Sequence, residues 1–321
     1  MTRRQRNRVS RQERKIKRWA LGGGEPPPRI ELPRRPDPLH LFNAEGQRCE
    51  DGIRNLWHGQ SAFLVGGGPS LKHINLSRMA ERGVLSLGIN NVAGYIPCNA
   101  FVCGDPAMKF HECIWNDGRI IKFVPRKQLH ARTRVKRDGR FLWSDKAVGD
   151  CPNVFGLNRG SKFDPATFFA TDYASWGAKG DEGCDWPNIR FTMFIGFRLL
   201  HFLGVRNIFL LGTDFVKDGD LKYVFEVDKP GACKGSGGGH WKKAPGMFEA
   251  LKPYLPAAGL RVYDSGPVSE LGVFGKIAFD DAIAMCQQGI GPTDAESFTG
   301  HYSHHVLTGD TTCDVESQDE A

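Results

Sequence analysis

A run of glycines, Gly66-Gly67-Gly68, followed by Pro69-Ser70-Leu71, comes directly after a short apolar stretch, Ala62 to Val65. Apolar strand, glycine turn and a helix-like stretch to Met79 are the layout of a nucleotide-phosphate site. Glycines let the backbone approach a phosphate, and free N–H groups at a helix start point at it. Gly66, Gly67, Gly68, Pro69 and Ser70 are therefore candidate contacts to a nucleotide-activated donor. The turn is neither G-x-G-x-x-G with a ribose-binding acid nor G-x-x-x-x-G-K-[ST]. A tight strand–helix turn with no ligand is the alternative reading.

Further polar residues stand where strands should end. Val84 to Ile89 reads as a buried strand that stops at Asn90-Asn91. The carboxyl ends of parallel strands form the rim where ligands bind. An amide there both donates and accepts, so Asn90 and Asn91 can read a base or ribose edge. Asn207 to Leu211 is a third buried strand, and it runs into Gly212-Thr213-Asp214-Phe215. Thr213 and Asp214 thus share the rim. Asp105, within Cys103-Gly104-Asp105-Pro106, is another rim carboxylate. It either touches sugar hydroxyls or caps a helix with Pro at N1.

No metal is expected. Asp214 with the Asp218-Gly219-Asp220 triplet could hold a divalent ion, but Asp-Gly is a common turn pair. Asp214 fits better as a residue that caps or orients the rim. Cys184, Cys233 and His240 have the spacing of no standard zinc site.

The elements that must position these residues fill the middle of the chain. Its 321 residues, 40% of them hydrophobic, suffice for one large α/β domain or two small ones. The net charge of +7 is unevenly placed. Arg3, Arg4, Arg6, Arg8, Arg11, Arg14 and Lys15 crowd the first twenty residues, which hold one acid, Glu13. Such an arm binds nucleic acid or an acidic membrane surface through phosphate contacts, or serves as a solubility tail. Residues 21–40 are a Gly- and Pro-rich linker, and 291–321 form an acidic tail. No apolar run reaches the roughly 18 residues of a membrane span, and no signal-type apolar region follows the basic start. Nine scattered cysteines without a CxxC pair suit reduced thiols and a cytoplasmic setting.

Strands are predicted at Ala62–Val65, Val84–Ile89, Ala100–Cys103, Ile120–Val124, Asn207–Leu211 and Leu260–Tyr263. Helices are predicted after Pro106, over Phe191–Leu203 and Pro245–Leu255, and over Val268–Phe274. Lys127 to Arg140 reads as a basic loop, and residues 141–188 as the least regular part. Lys217 to Gly239 is hydrophilic and glycine-rich, which predicts a mobile lid.

The order of these motifs resembles the bacterial sialyltransferases of glycosyltransferase family 42. Those carry a Gly-rich loop before Pro-Ser-Leu, a strand ending in Asn and a strand followed by Gly-x-Asp-Phe. A mobile lid, a His before a helix and a last strand and turn come after them. Here the last two are Gly239-His240 and Val262-Tyr263-Asp264-Ser265-Gly266-Pro267. The match spans roughly residues 60–282, and related domains occur in phage-encoded proteins. The opening loop and the Gly-x-Asp strand end are also similar to those of the MptE-like proteins, which resemble 6-hydroxymethylpterin pyrophosphokinases. By the sialyltransferase resemblance, Gly67 and Gly68 face the donor phosphates and His240 is the general base. Histidine suits that task, because an attacking hydroxyl must lose its proton and imidazole titrates near neutrality. A surface His in a flexible loop is the alternative. The family's loop has Asn where this chain has Gly67, so the resemblance does not extend to sialic acid or a cytidine nucleotide.

The expectation is a Rossmann-like α/β domain over residues 41–290, its mostly parallel sheet flanked by helices and carrying a lid insertion. The expected activity is sugar transfer from a nucleotide-sugar donor to a hydroxyl acceptor, with no cofactor. The expected acceptor is DNA bearing a hydroxymethylated base, with the basic arm and the basic loop on phosphates. Two rival readings are a Mg-dependent pyrophosphokinase and a non-catalytic nucleic-acid-binding protein.

Overall fold

The computed structural model describes residues 41–49, 52–137, 140–157, 163, 165–166, 168–169, 192–214 and 244–288. The basic arm, the acidic tail and the lid expected at 217–239 lie outside them, as does His240.

Among the described residues, nine strands form one sheet and two more form a separate hairpin. In chain order the strands are β1 (Leu41–Phe42), β2 (Ser61–Val65), β3 (Leu85–Ile89), β4 (Ala100–Val102), β5 (Ile121–Pro125), β6 (Arg132–Arg137), β7 (Arg140–Ala147), β8 (Val154–Leu157), β9 (Asn207–Leu211), β10 (Arg261–Asp264) and β11 (Gly275–Lys276). The sheet order is β1-β8-β5-β4-β3-β2-β9-β10-β11. Every neighbouring pair in it is parallel except β1 with β8. This is the expected Rossmann-like α/β fold.

Both faces of the central strands are covered, which is why they read as unbroken apolar runs. The two-residue period still sorts their side chains. Ala62 and Leu64 of β2, with Ile208 and Leu210 of β9, enter one core layer. Phe63, Val65, Phe209 and Leu211 enter the other. Four α-helices are described: α1 (Glu112–Asn116), α2 (Thr192–Phe202), α3 (Ala244–Leu251) and α4 (Phe279–Cys286). Helices α2 and α3 cover the first layer, where the Phe194 and Phe248 rings stack at 4.5 Å between centroids. Helix α4 covers the second through Ala282 and Ile283, and its Phe279 ring lies 5.7 Å from that of Phe63.

The chain moves outward from β2 through β3, β4, β5 and β8, then returns to lay β9, β10 and β11 on the other side of β2. The winding therefore reverses between β2 and β9. In open parallel sheets the ligand crevice opens at that reversal, beyond the carboxyl ends of the strands.

Several local expectations are corrected. The segment after the glycines is not a helix but two 3₁₀ turns, Pro69–His73 and Leu76–Ala80. After Pro106 a 3₁₀ turn (Ala107–Lys109) precedes the five-residue α1. Val268–Phe274 is turn and coil. The basic stretch from Lys127 is not a loop: past one turn it becomes the β6–β7 hairpin, and β7 and β8 lend regular structure to the first part of 141–188. Arg126 is engaged structurally, its guanidinium 4.0 Å above the Phe42 ring. Cys98, Cys151 and Cys286 are free thiols, as expected, but Cys113 is disulfide-bonded. Among the described residues, no helix is long and apolar enough to cross a membrane.

Candidate functional site

Parallel strands end on one side, so the loops after β2, β3, β4, β9 and β10 share a rim. The loops after β2 and β9 flank the winding reversal, and there they are fastened together. Gly66 N–H donates to Leu211 O at 2.8 Å, and Gly68 N–H donates to Gly212 O at 2.7 Å. Ser70 N–H donates to Asp214 Oδ2 at 2.7 Å. These bonds continue the β2–β9 ladder beyond the strands.

The fastening explains the glycines. A Cβ on Gly66 would stand 2.5 Å from Gly212 O, and one on Gly68 would stand 2.5 Å from Asp214 Oδ2. Gly212 has a φ of +60°, a conformation that side chains disfavour. Gly68 does not: its φ is −64°, so close packing rather than a left-handed backbone requires glycine there. The bonding also revises the expected phosphate cradle. The N–H groups of Gly66, Gly68, Ser70 and Leu71 are taken within the protein, and Pro69 has none. Gly67 N–H is the loop amide left to face a ligand, among the described residues.

The side chains are a different matter. Asn90 Oδ1, Asn91 Oδ1, Thr213 Oγ1, Asp214 Oδ1 and Ser265 Oγ are all buried, and none has a hydrogen-bond partner among the described residues. Buried polar atoms in folded proteins are nearly always paired. These five belong to the loops after β3, β9 and β10. Asn90 also holds a φ of +57°, in the sparsely populated left-handed region that Asn tolerates better than most side chains. Asn91 Nδ2 donates to Lys109 O at 3.4 Å.

Asp214 is 1% exposed. Burial pushes its carboxyl pKa up, against the lowering effect of the bond from Ser70. Asp264, at the end of β10, is fully buried and paired with Lys276 Nζ at 3.0 Å. Lys276 also donates to Gly266 O and Ser269 O, both at 2.9 Å, and so holds the loop after β10. A Cβ on Gly266 would stand 3.2 Å from Asp214 Oδ1 and 3.4 Å from Asp264 Oδ1. The two carboxylates therefore converge on that glycine.

The structure brings Gly66, Gly67, Gly68, Pro69, Ser70, Asn90, Asn91, Thr213 and Asp214 to neighbouring loops. Asp105, in the loop after β4, is exposed, pairs with Lys109 at 3.7 Å, and caps nothing: the following 3₁₀ turn has Pro106 at its N-cap and no side-chain cap. Sequence reasoning does not mark Asp264, Ser265 and Lys276 as site residues. Polar residues directly after the apolar run to Tyr263 are the signal that could find the first two. No group of three metal-ligating residues occurs among the described residues.

Chemically the rim is rich in acceptors, with two amide oxygens and a carboxylate oxygen beside two hydroxyls. Acceptors match sugar hydroxyls and exocyclic amines. The hydroxyls and Gly67 N–H supply the donors that a phosphate needs.

No family model matches the chain, and no curated protein does. Among solved structures the chain is similar to the sialyltransferase CstII from Campylobacter jejuni, in complex with a substrate analogue, cytidine-5'-monophosphate. The two are 17% identical, with 69% of this chain and 86% of that chain covered, at a TM-score of 0.40. At that score the likeness carries no inference about the site, and the fold class rests on this chain's own strand order.

Proposed function

We propose that the chain is a glycosyltransferase that binds a nucleotide-sugar donor at the rim between β2 and β9 and passes the sugar to a hydroxyl acceptor. One observation carries the reading: five buried polar oxygens without partners among the described residues belong to the rim loops around the winding reversal, where a hydroxyl-rich ligand would complete them. In the proposed reaction the acceptor oxygen bonds to the anomeric carbon as the carbon–oxygen bond to the phosphate breaks. The nucleotide leaves with that electron pair. His240, outside the described residues, takes the acceptor's proton as general base. Asp214 holds the glycine loop in place. No metal takes part in this scheme. The proposed acceptor is DNA carrying a hydroxymethylated base.

The test is a thermal-shift screen with nucleotides and nucleotide sugars. A true donor stabilises the fold by about 2.7 kcal/mol at a hundredfold excess over its Kd. Transfer should persist in EDTA, whereas a pyrophosphokinase would stop. His240→Ala should abolish transfer while leaving donor affinity near normal. A screen in which no nucleotide or nucleotide sugar shifts the melting temperature would overturn the proposal.

A further inference from the structure

Between β5 and β8 the chain leaves the sheet and returns as the β6–β7 hairpin, which shares no strand pairing with the nine-stranded sheet. Its register pairs Arg134 with Trp143 and Val135 with Leu142. From Arg132 to Ala147 it carries six Arg or Lys and two Asp. Two adjacent residues of β7, Leu142 and Trp143, are 48% and 52% exposed. Among the described residues only two other large apolar side chains, Leu56 and Val268, are exposed.

The arrangement is poor for folding alone. An indole half in water contributes little to a core. It is well suited to one class of ligand. Trp143 stands directly across from Arg134 in the register, and opposed residues share a face of a hairpin. An exposed indole beside cations is how proteins hold unpaired bases: the ring stacks on a base while the charges track the phosphates. Duplex DNA offers the charges their phosphates but keeps its base faces covered.

Placement connects the hairpin to the rim. Strand β6 packs against the Ala107–Lys109 turn and α1, and Lys109 O accepts from the rim residue Asn91. A polymer on the hairpin therefore runs beside the candidate site.

We infer that the β6–β7 hairpin is a binding ribbon for single-stranded nucleic acid, with Trp143 stacking on a base and the surrounding arginines on phosphates. This deepens the DNA-acceptor reading, but the binding stands whether or not the rim transfers a sugar.

The experiment is fluorescence anisotropy of the full chain with a dye-labelled oligothymidylate and with the matching duplex, across a salt series. Trp143→Ala should weaken single-strand binding about tenfold or more, and Trp143→Phe should restore most of it. Arg134→Gln with Lys146→Gln should reduce the salt slope by about 0.7 for each charge that contacts phosphate. Because Trp143 is exposed, Trp143→Ala should keep the wild-type melting temperature and the wild-type response to nucleotide sugars. That last readout separates failure of this inference from failure of the donor site. Oligonucleotide affinity unchanged in Trp143→Ala would overturn the inference. So would Trp143-dependent binding to phosphatidylserine vesicles without any to oligothymidylate, which would make the hairpin a membrane contact.

Discussion

At the scale of the residue, Asp214 does the most. It lies 144 positions from Ser70 in sequence, yet its carboxylate holds that residue's N–H. Removing the acceptor leaves a fully buried N–H unpaired, so Asp214→Ala should cost about 1–3 kcal/mol in denaturant unfolding. Asp214→Asn isolates the charge, because its amide oxygen can still accept. An unfolded Asp titrates near 3.9, and burial raises the folded carboxyl above that. The folded state thus holds its proton more tightly. The resulting stabilisation is complete below the unfolded value and is lost as pH rises through the folded one. Wild type should be most favoured over Asp214→Asn in acid, with the advantage shrinking across that window and flat above it. A stability difference independent of pH would show that the carboxyl is not perturbed. The positions of Asn90, Asn91, Thr213 and Asp214 at strand ends were legible, because an apolar run leads into each pair. The bond from Ser70 N–H to Asp214 was not, since nothing local in sequence marks a contact between residues so far apart.

At the scale of the element, the glycine loop changes meaning. Its sequence invites a phosphate reading, but Gly66, Gly68 and Gly212 are packed against one another's backbones. Gly68→Val pushes a side chain into the Asp214 carboxylate, and Gly212→Ala places a Cβ at φ +60° against the Gly66 carbonyl. Each should cost about 1–3 kcal/mol of folding stability even with no ligand present. Normal stability with weakened donor binding would instead show that the glycines serve the ligand. The strands were legible because parallel strands buried on both faces leave an unbroken apolar signature, as in Phe63-Leu64-Val65. The short connections were not. A five-residue 3₁₀ turn such as Pro69–His73 and the first turn of a helix share their opening residues, and tertiary packing decides between them. The hairpin was not legible: β6 interleaves Arg and Lys with Thr and Val, and that charge reads as loop.

At the scale of the whole molecule, charge is distributed along the chain rather than around it. The arm that carries Arg3, Arg4, Arg6, Arg8, Arg11, Arg14 and Lys15 precedes the sheet in sequence, and the β6–β7 hairpin is a second basic segment. Two such segments would hold the chain on a nucleic acid without reading sequence. Deleting residues 1–20 should flatten the slope of log affinity for DNA against log salt, by about 0.9 for each duplex phosphate that the arm neutralises. An unchanged slope would assign the arm to another partner.

The sheet is finished at each side by a described strand of two residues, Leu41–Phe42 and Gly275–Lys276. An unpaired edge is a template on which another chain can crystallise its own backbone, and long flat edges seed aggregates. Edges this brief offer an incoming strand almost no ladder to extend, and one of them ends on a lysine already turned inward to Asp264. The described strands thus give copies of this protein little edge by which to lengthen their sheets into a shared ribbon. Association seen by light scattering should respond to changes on exposed side chains such as Trp143 rather than to changes along either edge.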